Sequence, residues 1–291
     1  MKLQPPVFLT ALAIVAAAFP GFSAEPAPVP PPGAKQGPPQ PGGSVIEANL
    51  TTYYIAEVAA ATTGSGIPVT ARSLNGEQQR VLIPAETLRR AEMQSLAIGQ
   101  AGRMWIQVGK RTWEELPAGW MGMGNRRNPI VPYHHVAADQ TKYPYGSLIY
   151  FPEADGYTNV NGDVMDGCFW VGDVGGLIKG RSRFDVFVGR QQVFEKVMDR
   201  GNGKLSTKGV VYRLPKAPKG FEPGKPEGLA AILRNCGCLP KSAEVPTPET
   251  LNAALIEFQK SKPKIPEVEY GIARAATTLW YLTEAALTAA K

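Results

Sequence analysis

The segment from Asp166 to Gly189 constrains the fold most strongly, because it combines carboxylates, glycines and a strand-like run in a short stretch. In its second half, Phe184, Val186 and Val188 alternate with other residues, and this period of two predicts a strand with one buried face. Asp185 lies on the opposite face of that strand. The preceding turn contains Gly175-Gly176, which favours tight backbone geometry. A carboxylate on a rigid strand, with Asp173 on the turn before it, is typical of an acid site.

Two ordered motifs in this region resemble a known family. The first is Asp173-Val-Gly-Gly-Leu-Ile-Lys-Gly followed by Asp185, and the second, upstream, is Val136-Ala-Ala-Asp139 followed by Pro144-Tyr-Gly146. Together they resemble the signature of the three-aspartate (3D) domain, which also occurs in the membrane-bound lytic murein transglycosylase A family. The three aspartates correspond to Asp139, Asp173 and Asp185. The resemblance covers roughly residues 48–200 and implies a double-psi β-barrel.

The resemblance implies a catalytic role for two carboxylates. Cleavage of a β-1,4 glycosidic bond needs a proton on the leaving oxygen, and Asp185 is the candidate general acid. Asp173 is the second catalytic candidate, because a neighbouring carboxylate raises the pKa of one of the pair. Each has a structural alternative: Asp185 could cap backbone amides at a strand end, and Asp173 could bind the glycine-rich turn.

Four further residues are candidates for substrate binding. Asp139 lies before a turn, so capping of that turn is its alternative role. Asp166 is a glycan contact or a turn residue. Trp120 lies in the Gly- and Pro-rich stretch 109–135, which predicts a long functional loop where an indole could stack on a sugar. Lys179 lies on the glycine-rich turn between the two catalytic candidates.

The remaining strand and helix signals predict a mainly β fold followed by a small all-α C-terminal domain. Short runs of alternating apolar residues predict strands near 48–58, 67–71, 79–83, 104–108, 146–151, 168–171 and 184–188, with a helix from Pro84. We therefore expect a barrel domain over 44–200 and a linker over 201–226.

Helical periodicity dominates the last part of the chain, 227–291. Thr247-Pro248 is typical of a helix start, and Leu251, Leu255 and Phe258 follow at helical spacing. This region resembles the three-helix peptidoglycan-binding domain, which implies wall affinity. The alternative is a helical cap on the barrel.

The N-terminus predicts export. Residues 1–24 combine Lys2 with a short apolar run and a small-residue Ser23-Ala24 cleavage site, which is typical of a signal peptide, although a buried N-terminal helix is the alternative. No cysteine lies there, so we expect no lipid anchor and no stable membrane attachment. Residues 25–43 are mostly Pro, Gly and Ala and predict a disordered linker.

The net charge and the cysteine positions limit which partners, disulfide bonds and cofactors we expect. The chain of 291 residues has a formal net charge of +6 from scattered basic residues, which suits anionic wall polymers and does not favour nucleic acid. Cys236 and Cys238 are too close to bridge each other without strain, while Cys168 could bridge to one of them or stay a buried thiol. No zinc-ligand spacing is present, so we expect no metal and no other cofactor.

Three functional hypotheses follow. The first is an exported lytic transglycosylase that cleaves the β-1,4 bond between N-acetylmuramic acid (MurNAc) and N-acetylglucosamine (GlcNAc) in peptidoglycan. The second is a non-catalytic glycan-binding protein or an expansin-like wall-loosening protein. The third is a glycoside hydrolase that uses Asp185 together with Asp173.

Overall fold

The structure is a computed structural model that describes residues 43–60, 65–99, 102–199, 205–212, 218–242, 244–262, 265 and 267–290. The predicted signal peptide at 1–24 and, apart from Gly43, the predicted linker at 25–43 lie outside the described residues. Both therefore stay predictions.

Among the described residues the chain forms eleven strands and five α-helices. In chain order they are β1 (Ser44–Glu57), β2 (Ile67–Arg72), β3 (Gln78–Ile83), α1 (Ala85–Gln94), β4 (Leu96–Ile98), β5 (Met104–Gly109), β6 (Thr112–Glu115), β7 (His135–Ala137), β8 (Leu148–Thr158), β9 (Val164–Asp173), β10 (Arg183–Arg190), α2 (Gln191–Asp199), β11 (Leu205–Tyr212), α3 (Pro226–Asn235), α4 (Pro248–Lys260) and α5 (Ala276–Ala289), with a 3-10 helix at Glu267–Glu269.

Six strands close into a barrel. Their order is β10-β7-β9-β8-β11-β1, and β1 pairs with β10 to complete the circle. The pairs β1–β10 and β7–β9 are parallel and the other four are antiparallel. Closure leaves no free edge on these strands. The prediction of a mainly β fold built on a barrel is confirmed.

The alternation in β10 explains its place in the wall. Phe184, Val186 and Val188 are buried in a core cluster that also contains residues of β1, β7, β8 and β9, as expected for side chains that face the barrel interior. On the other face, Phe187 is fully buried as well. It belongs to a second cluster outside the barrel wall, so β10 has two buried faces rather than the one that alternation predicts.

A second, smaller sheet continues from the end of β1. Its order is β4-β5-β6-β2-β3, and Ala56 and Glu57 of β1 pair with Ala97 and Ile98 of β4. Helix α1 is preceded by Pro84 as its N-cap and ends at Ser95, which has a left-handed conformation (φ 56°). Strand β6 and the start of β7 lie inside the stretch 109–135 that was predicted as a continuous loop.

The C-terminal helices share a core with the barrel. Leu233 of α3, Phe258 of α4 and Trp280 of α5 belong to one buried cluster with Leu148 of β8 and Trp170 of β9. The rings of Trp170 and Trp280 lie 5.8 Å apart. Thr247 caps α4 as predicted, since its side chain accepts a hydrogen bond from the Thr250 N–H at 3.3 Å. The three helices are present, and their status as a separate domain stays a prediction.

Strand β11 corrects the predicted linker at 201–226. Residues 205–212 form a barrel strand that pairs with β1 and β8. Val211 and Tyr212 at its end are buried in the barrel core and in the core shared with the helices, respectively. No described helix is long and apolar enough to cross a membrane.

Candidate active site

The two catalytic candidates lie in one row of the barrel wall. Asp185 of β10 pairs with Ala137 of β7, and Ala137 pairs with Asp173 of β9. Neighbouring strands are about 4.8 Å apart, so the two aspartate Cα atoms are separated by roughly 10 Å. Side chains in one row project to the same face. Ala137, which lies between the two aspartates in this row, has a short side chain and is itself buried.

A β-bulge at Gly172 aims Asp173 at this face. Val136 pairs with Val171, but the next residue, Ala137, pairs with Asp173, so Gly172 is the extra residue. A strict period of two would have placed Asp173 on the interior face with Val171. Gly172 is required here, because a Cβ atom would lie 2.5 Å from Cδ2 of His135.

Asp173 accepts three hydrogen bonds and yet has a raised pKa. Its Oδ1 accepts from the backbone N–H groups of Val174 at 2.8 Å and Asn125 at 3.0 Å. Its Oδ2 accepts from the Tyr53 hydroxyl at 3.2 Å. Burial raises the pKa of Asp173 from 3.8 to about 6 and outweighs these donors, which lower it. The protonation state of Asp173 therefore changes just below neutral pH.

Asp185 is the less satisfied of the two carboxylates. It is half-buried, and its Oδ1 is buried without a hydrogen-bond partner among the described residues. Burial raises the pKa of Asp185, while the positive charge of Arg183 lowers it. A buried carboxyl oxygen with no internal partner, on a group that holds its proton more tightly than usual, suits proton donation to a ligand.

Tyr53 of β1 binds Asp173, and sequence analysis assigned it no role. Burial raises the pKa of Tyr53 well above 10, and the charge of Asp173, its hydrogen bond and the charge of Asp185 raise it further. The hydroxyl therefore stays protonated and donates. Tyr53 pairs with Phe187 of β10, and the two rings lie 5.2 Å apart. Alternation along β1 separates Tyr53 from the interior residue Leu50, but only the parallel pairing with β10 brings it to the site.

Asp139 uses both of its carboxylate oxygens inside the protein. Oδ2 accepts from the Gly180 N–H at 2.9 Å, and Oδ1 accepts from the Thr141 N–H at 3.0 Å and the Thr141 hydroxyl at 2.8 Å. These bonds, that of Gly180 first, lower the pKa of Asp139 to about 2, and the nearby charge of Lys179 also lowers it. Asp139 thus fixes the glycine-rich turn to the barrel. A substrate contact by Asp139 or by the exposed Lys179 stays a prediction.

Asp166 lies far from the catalytic row. It is on the same strand as Asp173 but seven positions earlier, which corresponds to a separation of roughly 20 Å. It lies opposite Asp155 in β8, and its Oδ1 accepts from the Cys168 N–H at 2.9 Å. The structure therefore does not bring Asp166 together with Asp173 and Asp185.

Trp120 lies on the same side of the molecule as Tyr53. It is half-buried and packs against the cluster that contains Tyr53 and Phe187. It also lines a groove of about 410 Å³ beside the small sheet, together with Leu74 and Arg127. This position leaves part of the indole accessible to a ligand.

Trp170 and Cys168 belong to a different buried cluster from Ala137 of the catalytic row. Trp170 is fully buried in the core shared with the helices. Cys168, Cys236 and Cys238 form no disulfide bond with one another. Among the residues that the structure describes, no group of three or more His, Cys, Asp or Glu side chains could hold a metal ion.

Comparisons with known proteins agree with these motifs. Residues 134–214, which include β7 to β11, match the family model of the 3D domain. This region contains Asp139, Asp173 and Asp185. No curated protein sequence matches the chain.

Several solved structures resemble the fold. A membrane-bound lytic murein transglycosylase from Agrobacterium tumefaciens is 12% identical, with a TM-score of 0.42 over 57% of this chain and 74% of its own. Escherichia coli MltA with bound chitohexaose is 15% identical, with a TM-score of 0.42 over 58% and 72%. MltA from Neisseria gonorrhoeae is 14% identical, with a TM-score of 0.39 over 60% and 74%.

Proposed function

We propose that the protein is an exported lytic transglycosylase that cleaves the β-1,4 bond between MurNAc and GlcNAc in peptidoglycan. The observation that carries the proposal is the row of Asp185, Ala137 and Asp173 on the outer face of the barrel. The 3D-domain match over the same strands supports it. The signal-peptide pattern of residues 1–24 supports export to the periplasm or the extracellular wall space.

Asp185 acts as the general acid. Its carboxyl group donates a proton to the glycosidic oxygen as the bond from that oxygen to C1 of MurNAc breaks. The 6-hydroxyl of the same MurNAc then bonds to C1, and its proton passes to the Asp185 carboxylate. The products are a free 4-hydroxyl on GlcNAc and a 1,6-anhydro end on MurNAc. No water is consumed, and Asp185 regains its proton.

Asp173 acts in its ionised form. A carboxylate across the row from the acid stabilises positive charge that develops on the sugar ring in the transition state. Tyr53 and the Asn125 N–H hold this carboxylate in place. On the rim, we assign sugar stacking to Trp120 and glycan contacts to Asp139 and Lys179. Asp166, which lies far from the row, would contact only a distant part of a long glycan.

The second candidate is a glycoside hydrolase, which the presence of two carboxylates on one face favours. In that reaction Asp173 activates a water molecule, and the product has a reducing MurNAc end. Mass analysis of purified murein digested with the protein separates the two reactions. Anhydro-muropeptides, lighter by one water, support the transglycosylase and hydrated ends support the hydrolase. Absence of any soluble product would favour a non-catalytic, wall-binding or wall-loosening protein.

A further inference from the structure

A basic groove lies next to the catalytic row and is not used by the mechanism above. Its volume is about 520 Å³. Arg126 and Tyr145 line it from the barrel side, and the segment 222–225 and Arg274 line it from the side of the C-terminal helices. We refer to it as the Arg126–Arg274 groove.

The two guanidinium groups have no counter-ion in the described part of the chain. Arg126 lies over the ring of Tyr145, with Cζ 4.6 Å from the ring centroid, and forms no ion pair there. Arg274 packs against Gly224, where a Cβ atom would lie 2.6 Å from its Nε. The acid that lines the groove, Glu222, pairs with Lys225 at 3.0 Å. The groove therefore has an excess of positive charge.

Two helices begin beside the groove and add to this charge. The N-cap of α3 is Lys225 and that of α5 is Ala275, and neither has a side-chain cap. The first N–H groups of a helix without a side-chain cap favour an anion. The guanidinium groups and the helix N-termini thus both favour binding of an anion.

The groove adjoins the acid site through two short connections. Asn125, whose N–H binds Asp173, is the residue before Arg126. Asn128, which also lines the groove, donates from Nδ2 to the carbonyl oxygen of Gly172, the residue before Asp173, at 3.0 Å. A substituent on a sugar bound at Asp173 would therefore reach the groove.

We propose that the Arg126–Arg274 groove binds a carboxylate carried by the MurNAc residue next to the scissile bond. The inference rests on the proposed function, since it takes peptidoglycan as the substrate. MurNAc carries a lactyl group on O3, which ends in a carboxylate when it is free and in a stem peptide with its own carboxylates when it is substituted. Arginine binds carboxylates through two parallel hydrogen bonds, which suits either source.

Three soluble glycans of equal length test this subsite by calorimetry. One is a neutral GlcNAc oligomer, one is a peptide-free GlcNAc–MurNAc oligomer with lactyl carboxylates, and one carries tetrapeptides. The variants are Arg126→Gln and Arg274→Gln, with Arg80→Gln, an exposed arginine of β3, as the matched control.

We expect the wild type and Arg80→Gln to bind a carboxylate-bearing glycan at least tenfold more tightly than the neutral oligomer. Each groove variant should lose roughly tenfold in affinity for that glycan, the scale of one charged hydrogen bond, and keep its affinity for the neutral oligomer. Loss for the peptide-free glycan alone identifies the free lactyl carboxylate, and loss for the tetrapeptide form alone identifies a peptide carboxylate. Loss for both charged glycans shows that the groove accepts either carboxylate.

Unchanged affinity of both groove variants for the two charged glycans would overturn the subsite, as would equal losses for charged and neutral glycans. Mass analysis of the products in the same samples tests the proposed function separately. Arginine-dependent binding without anhydro products would keep the subsite and refute the transglycosylase.

Discussion

His135 and Glu269 face each other between the barrel and the C-terminal helices, with Nε2 and Oε1 3.3 Å apart and neither side chain exposed. His135 is in β7, and its Nδ1 accepts the Val131 N–H at 3.0 Å, so the neutral ring carries its proton on Nε2, towards Glu269. Burial raises the pKa of Glu269, and the contact with His135 lowers it. The pair fixes the 3-10 helix against the strand that contains Ala137.

Removal of one partner from this pair should destabilise the whole protein. Glu269→Ala leaves the buried imidazole without its partner, and we expect a loss of about 3 kcal/mol in the free energy of unfolding. Glu267→Ala, an exposed glutamate of the same 3-10 helix, is the matched control and should change stability little. Urea unfolding measures both. Equal stability of the two variants would show that the pair contributes nothing.

Truncation tests the division into a barrel domain and a helical domain. A protein that ends at residue 217 would expose Leu148, Cys168 and Trp170, which are now buried against the helices. Each such side chain contributes about 1.5–3 kcal/mol, and a domain has only about 5–15 kcal/mol in total. We therefore expect the truncated protein to unfold at a markedly lower temperature by circular dichroism. An unchanged melting temperature would support the predicted two-domain organisation.

The general-acid role of Asp185 has a direct test. Asp185→Asn is nearly isosteric but cannot donate an acidic proton, so we expect a loss of at least about 100-fold in the release of anhydro-muropeptides with the fold intact. Glu153→Gln, an exposed carboxylate of β8, is the control and should retain full activity. Activity of Asp185→Asn near that of the wild type would remove Asp185 from this role.

Tyr53 should control the acid limb of the pH–rate profile. The proposed mechanism requires ionised Asp173, whose pKa is about 6, so we expect the rate to rise as pH increases through that value. The Tyr53 hydrogen bond lowers this pKa, and Tyr53→Phe should therefore move the limb to higher pH by roughly half a unit. Tyr54→Phe, on the interior face and stacked on Phe194, is the control. If the acid limb lies at the same pH in Tyr53→Phe and Tyr54→Phe, the hydrogen bond from Tyr53 to Asp173 does not determine its position.

Asp139 should make stability depend on acid pH. Its folded pKa of about 2 lies below the unfolded value, so its contribution is complete above about pH 4 and is lost as pH falls towards 2. Asp139→Asn removes this contribution at neutral pH and should flatten the dependence of the melting temperature on pH in that window. A profile parallel to that of the wild type would contradict the assignment of this carboxylate to the turn.

The sequence was sufficient to predict seven of the eleven described strands and to single out Asp173 and Asp185 as candidates for one site. Alternation in β10 identified the strand of Asp185, and the ordered glycines linked it to Asp173. The bulge at Gly172 could not be predicted, because it appears only when β7 and β9 are paired. Strand β7 has three residues, too few for a period of two to be recognised.

The other features that the sequence did not predict depend on contacts between residues far apart in the chain. Strand β11 lies in a Lys- and Gly-rich stretch, where only the short run Val210-Val211-Tyr212 favours a strand and the pairing with β1 and β8 appears only in the folded chain. His135 and Glu269 are far apart in the sequence, and no local pattern indicates that they meet. The Arg126–Arg274 groove could not be predicted for the same reason, because its residues come from the barrel and from the C-terminal helical region.

Barrel closure between β1 and β10 has a consequence for how the molecule forms. Thr51 and Phe184, which meet in this pairing, are 133 residues apart in the chain. Bringing such distant segments together costs loop-closure entropy before their contacts stabilise the fold. Folding is therefore slower. During synthesis, β1 therefore cannot form its barrel pairs until the ribosome has produced nearly two hundred residues. The barrel wall that carries Asp173 and Asp185 can therefore form only late in translation.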